Sequence, residues 1–257
     1  MLYVIYKWLI GDMGEPGDFQ YQAIHGWTMA VVSAVLAVVI FLGVTKKIST
    51  QGKRKILVGI AVFHVVFEVA WRLIYFFVKG DELRWWWPMW PCNLSGILIP
   101  IIALSNWKTG KKMFYLFAFV GAILTFALPE DIFTTNVMVF PIVKSVIQHT
   151  GILLIPVYEY CTGTYRPRLK DMGWVVTGLL VHLLNCEGIS RLFGFTGDYM
   201  FMRGDMPFVI PGVPQFITIS VFALLVLTGL SLLCELPGRV NNKRRSKENE
   251  KRCCDPS

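Results

Sequence analysis

Cys92 has the clearest route to covalent chemistry in this sequence. It follows Pro88-Met89-Trp90-Pro91 and precedes Asn93-Leu94-Ser95. A proline is tolerated in the first turn of a helix, where its missing N–H would have no partner. Cys92 is therefore expected near a helix N-terminus, where aligned peptide dipoles favour a thiolate. A thiolate within reach of a histidine is a nucleophile–base pair suited to acyl transfer. The competing reading is a small cysteine that only fills space. Other polar residues recur at helical spacing. His64, Glu68 and Arg72 are four apart and share one helix face, as do Lys144 and Gln148, with His149 next to the latter. His182 and Asn185 form a third such group.

The elements that must position these residues are membrane helices. Of 257 residues, 54% are hydrophobic and 16% charged, too little charge for the surface of a soluble domain of this size. Apolar runs at 24–44, 56–78, 113–128, 137–160, 172–190 and 216–236 match the roughly 20 residues needed to cross hydrocarbon. A seventh run, 91–107, is shorter and begins in the proline- and tryptophan-rich stretch. Backbone without water to bond must be helical in such runs. The fold class is thus all-α, a polytopic bundle of about seven transmembrane spans.

The net charge of +8 does not point to nucleic acid, because it is sorted by loop. The segments 46–55, 108–112, 166–170 and 239–252 hold 18 of the 25 Lys and Arg and lie on one side of a seven-span chain. By the positive-inside rule that side is cytoplasmic, with the N-terminus outside. Residues 1–22 are expected to form a short extracytoplasmic segment rather than a cleaved signal, since no basic residue precedes the apolar stretch. Residues 23–238 form the seven-helix domain, and 239–257 a basic cytoplasmic tail whose composition predicts disorder. The six cysteines have no metal-type spacing, so no metal or other cofactor is expected.

Ionisable groups inside a span are costly and mark function by default. At about 1.5 Å per residue, Glu68, Gln148, His149, His182 and Asn185 fall roughly 15–20 Å above the cytoplasmic ends of their spans. On the same count Arg72, Cys92 and Lys144 fall at about 22–25 Å and His25 at about 30 Å. Several spans thus contribute to one polar layer between the midplane and the outer leaflet, the expected wall of a hydrated cavity opening outward. Cys92 lies about 7 Å above His149 for upright helices, a gap that tilt or a sunken third span would close.

Pro-Met-Trp-Pro-Cys-Asn-Leu-Ser (88–95) resembles the proline–cysteine signature of the YwaF family of bacterial membrane proteins, related to eukaryotic transmembrane protein 164. Further stretches agree in order. They are Phe19 to His25, Gly121-Ala122-Ile123 with Leu128-Pro129-Glu130-Asp131, Gln148-His149-Thr150-Gly151, and Asn185 followed by Gly197-Asp198-Tyr199-Met200. Asp198 stands where the family usually has Asn, and Trp90-Pro91 replaces its leucine-rich approach to the cysteine. The eukaryotic relative is regarded as an acyltransferase acting on glycerophospholipids through a cysteine and a histidine. The resemblance implies Cys92 and His149 for these roles.

Three readings of function compete. In the first, Cys92 attacks a fatty-acyl ester, His149 shuttles the proton, and the acyl group passes to a second lipid or to water. Asn93 or Asn185 would donate to the oxyanion, Glu68 would orient a histidine, and Arg72 and Lys144 would meet a phosphate. Membrane lipids are then the partners and the cell membrane the location. The second reading is a transporter or ligand-binding protein that uses the same layer, with Gln148 and His25, without covalent chemistry. In the third the layer serves packing alone.

Overall fold

In a computed structural model the described residues are 1–80, 87–129, 132–195, 197, 199–200, 210 and 212–253, with the backbone alone for 216 and 236–253. Glu130, Asp131 and Asp198 of the motifs above lie outside the described residues. The chain is all-helical, with no strand among the described residues. A short helix α1 (Leu2–Ile10) precedes α2 (Ala23–Val44), α3 (Thr50–Lys79), α4 (Pro91–Ser105), α5 (Lys108–Ala127), α6 (Phe140–Cys161), α7 (Leu169–Leu192) and α8 (Gln215–Cys253). Six of these, α2, α3, α5, α6, α7 and the apolar part of α8, are long and apolar enough to cross a membrane, and α4 is a shorter apolar helix. Helix α8 continues to Cys253, whereas composition predicts disorder from 239.

Helices α4 and α6 hold the centre. Helix α4 packs on α3, α5 and α6, and α6 also packs on α1, α2, α3 and α5. Their contact surfaces build the main core around Ile99, Ile102, Ala103, Tyr115, Ile155 and Tyr158. Helix α8 lies at the edge, where Leu227 meets Leu116 and Val175.

Helix α4 decides where the chemistry sits. Its 15 residues give a length of about 22 Å, short of the roughly 30 Å of hydrocarbon. Its C-terminal end is anchored among the basic loops, because Arg54 donates to the carbonyls of Ala103 and Leu104 at 2.7 Å each. Its N-terminus, with Cys92, therefore lies at membrane depth and not at the opposite surface. Irregular backbone at that depth must be satisfied by protein. Asn185 does this, donating from Nδ2 to the carbonyl of Pro88 at 2.6 Å. Asn185 itself sits in a π-helical turn, Leu184–Ile189, within α7. Such single π turns recur at functional sites.

Candidate functional site

Pro91 is the first residue of α4, as its chemistry predicts, and Cys92 follows it half-buried. The Cys92 thiol lies 4.0 Å from Asn93 Oδ1. That oxygen also accepts from Lys144 Nζ of α6 at 3.2 Å. The ammonium sits 4.2 Å from the centre of the Trp71 ring, and the Arg72 guanidinium 4.2 Å from the same centre. Both contacts have the geometry of cation–π attraction, which gains strength away from water. Trp71 Nε1–H in turn donates to Glu68 Oε2 at 2.9 Å, and Arg72 forms an ion pair with the same oxygen. Glu68 and Arg72 cancel. Lys144 has no carboxylate partner among the described residues, so in its protonated form it leaves the group around Cys92 with one excess positive charge.

His149 of α6 is buried and oriented. Its Nδ1 lies 2.8 Å from the Ser145 carbonyl. In the neutral ring Nδ1–H donates there and Nε2 is left as the bare, basic nitrogen. Among the described residues no hydrogen bond joins Cys92 to His149. Lys144 is the neighbour they share, within electrostatic range of both. Between α3, α4 and α6, Gln148 is fully buried with no partner for either amide atom, and neither His64 nitrogen is hydrogen-bonded. His64 Nε2 is 3.7 Å from Glu68 Oε1. Two glycines make room for these groups. A Cβ at Gly96 would meet Gln148 Nε2 and Glu68 Oε1 at 2.8 Å each, and one at Gly151 would strike the His64 ring.

The structure thus brings Glu68, Arg72, Cys92, Asn93 and Lys144 together, with Gln148 and His149 adjoining. Two other expected residues stand apart. His25 accepts the Tyr21 N–H at 3.0 Å, and its Nε2 donates to the Phe126 carbonyl at 3.1 Å, tying α2 to the end of α5. Asn185 is committed to the carbonyl of Pro88, four residues before Cys92. Three participants went unread in the sequence. Trp71 was legible as a residue three after Glu68, on the same face, with an N–H to give. Ser95, three after Cys92, lies 3.1 Å from His182 Nε2, while His182 Nδ1 lies 2.9 Å from the Gly178 carbonyl. Ser145 Oγ, 3.3 Å from His149 Nδ1, left no sequence signal beyond its i, i+4 spacing.

A half-buried thiol beside an unbalanced cation should differ from the other cysteines in reactivity. On the orientation expected from the basic loops, a small membrane-impermeant thiol reagent added to intact cells should label Cys92 and leave Cys161 and Cys234 unmodified. Complete protection of Cys92 in folded protein would remove the outward access inferred from the polar layer.

A bundle of this length, with irregular backbone at membrane depth and buried charge around it, defines a multi-pass membrane protein with an internal polar site. Residues 20–232 match the TMEM164 family, and the chain belongs to that family. No curated protein and no solved structure matches it.

Proposed function

We propose that this protein is a lipid-directed acyltransferase or acyl hydrolase of the cell membrane, with Cys92 as nucleophile and His149 as proton carrier. The observation that carries the reading is the Lys144–Asn93–Cys92 arrangement at the N-terminus of α4. It sets a positive charge beside the sulfur, where a thiolate or the headgroup of an incoming lipid finds its counter-ion. His149 contributes a base whose tautomer is fixed by the Ser145 carbonyl, with Nε2 free to take the thiol proton. Catalytic hydrogen bonds often tighten only once substrate is bound, so a separated pair in the empty site agrees with this role.

The thiolate adds to the acyl ester carbonyl, the ester C–O bond breaks, and the alcohol product leaves with the proton from His149. The thioester is then opened by a second lipid hydroxyl or by water, whose proton returns to His149. Purified protein supplied with acyl-labelled phospholipid should therefore accumulate label that hydroxylamine releases. Label absent under single-turnover conditions, with substrate binding demonstrated, would leave the non-covalent reading. That second reading draws on the unpartnered atoms of His64 and Gln148, which suit a polar ligand or water held without reaction.

A further inference from the structure

At the other end of the bundle, beside the C-terminus of α4, lies a cavity of about 340 Å³. Thr50, Lys53, Arg54, Lys111, Thr162 and Thr164 line it. The basic loops that follow α2, α4 and α6 meet here. Lys111 Nζ is 2.5 Å from Glu159 Oε2, and that pair is neutral. Tyr115 donates to the other carboxylate oxygen at 3.1 Å, and Thr164 Oγ1 is 3.3 Å from Oε2. Lys53 and Arg54 have no carboxylate partner among the described residues. Lys53 donates to the Gly43 carbonyl at 2.5 Å, and Arg54 to Ala103 and Leu104.

These carbonyls belong to helix C-termini, so dipoles offset part of the charge. The C-termini of α2, α4 and α6 and the N-termini of α3 and α5 meet at this end. At roughly half an elementary charge per terminus, three against two, they contribute about −0.5. The two side-chain cations contribute +2, so most of the positive charge is uncompensated. An orientation signal requires nothing of the kind. Lys46 and Lys47, exposed in the same loop, would serve it, whereas Lys53 and Arg54 are half-buried in the cavity wall. Thr162 and Thr164 already donate to Glu159, so the Thr50 hydroxyl and the first turn of α3 are the neutral donors beside the charge.

We infer that this cavity is a second, anion-selective site, built to hold a phosphate monoester or diester at the membrane surface carrying the basic loops. Its volume falls at the small end of the range for ligand sites, about 300–1,000 Å³, which suits a phosphorylated headgroup and excludes an acyl chain. The site is independent of the acyl-transfer reading.

The test uses the purified full chain in non-ionic detergent, with three probes: inorganic phosphate, dioctanoyl phosphatidylglycerol, and dioctanoylglycerol, which lacks phosphate. Saturable binding of a phosphate-bearing probe, and none of dioctanoylglycerol, is expected. Binding of the short-chain phospholipid alone identifies a lipid headgroup as the occupant, and comparable binding of inorganic phosphate identifies a free phosphate compound. Lys53→Gln should weaken binding by about tenfold, the scale of one charge-assisted contact. Lys46→Gln/Lys47→Gln, which removes more charge from the same loop outside the cavity, should change it less than about twofold, as expected for screened surface charge. Thr50→Val keeps the Lys53–Gly43 contact and decides the matter if Lys53→Gln does not fold; it should weaken binding several-fold. Lys53→Gln should weaken binding by the same factor in a Cys92→Ala background, which cannot turn the phospholipid over, so failure here stays distinct from failure of the acyl-transfer reading. Absence of saturable binding, or an equal loss in Lys46→Gln/Lys47→Gln and the cavity variant, overturns the inference.

Discussion

Cys92→Ala protein is expected to fold and to lose acyl transfer entirely. The side chain is half-buried at the start of α4, where it packs on the edge of the main core. Removing one sulfur from such a position should cost on the order of 1 kcal/mol. The chemical loss is larger because no other nucleophile replaces the thiol. Cys92→Ser should be nearly as inactive, since an alcohol requires stronger activation than a lone histidine gives. His149→Ala should also stop turnover, as the thiol proton then has no carrier. A nucleophile and base acting as one unit are non-additive, so Cys92→Ala/His149→Ala should be hardly worse than either single variant. Cys186→Ala is the control. Cys186 is buried on α7, outside the matching motif, and its variant should keep most activity. Unchanged acyl transfer in folded Cys92→Ala would falsify the covalent mechanism and leave ligand binding without reaction.

How far the site could be read from sequence follows from the range of each interaction. The face of α3 was legible because His64, Glu68 and Arg72 recur at i, i+4, and the helix buries all three. The start of α4 at Pro91 was legible because proline chemistry is local. What escaped depends on which helices touch. Ser95 and His182 are 87 positions apart, and nothing local marks either for the other. Counting puts His25 at about 30 Å, near the outer surface, but its partner is a backbone carbonyl of α5, which no side-chain pattern announces. Lys111 was one basic residue among several near a helix end. Only the fold shows it buried against Glu159. Glycines were the least legible. Gly96, Gly151 and Gly178 look alike in sequence to Gly59 and Gly121, yet the first three have a neighbour where a Cβ would go and the last two have nothing within 4 Å.

That difference gives the largest expected effect on stability. Gly178 of α7 faces the backbone of α5, and a Cβ there would run into the carbonyl oxygen of Met113, with its carbonyl carbon at 2.7 Å and its Cα at 3.2 Å. Small residues that let two helix backbones approach are a main source of helix association in lipid. A flexible side chain could turn aside, but a helical carbonyl cannot, so Gly178→Ala must push α7 and α5 apart. Overpacking costs about 1–3 kcal/mol, and with backbone on backbone the upper end is expected. At roughly 2–4 °C per kcal/mol for a chain of this size, thermal unfolding followed by tryptophan fluorescence in detergent should show a clear drop. Gly59→Ala has open space around its Cβ and should be neutral or gain up to about 1 kcal/mol of helix propensity. The displacement reaches the site as well. Helix α7 carries His182, bound to the Gly178 carbonyl and to Ser95, and Asn185, bound to Pro88 just before Cys92. Gly178→Ala protein that still folds should therefore also lose acyl transfer, with Cys92, His149 and Lys144 all in place. Equal melting temperatures for Gly178→Ala and Gly59→Ala would show that α5 and α7 do not meet so closely in the membrane protein.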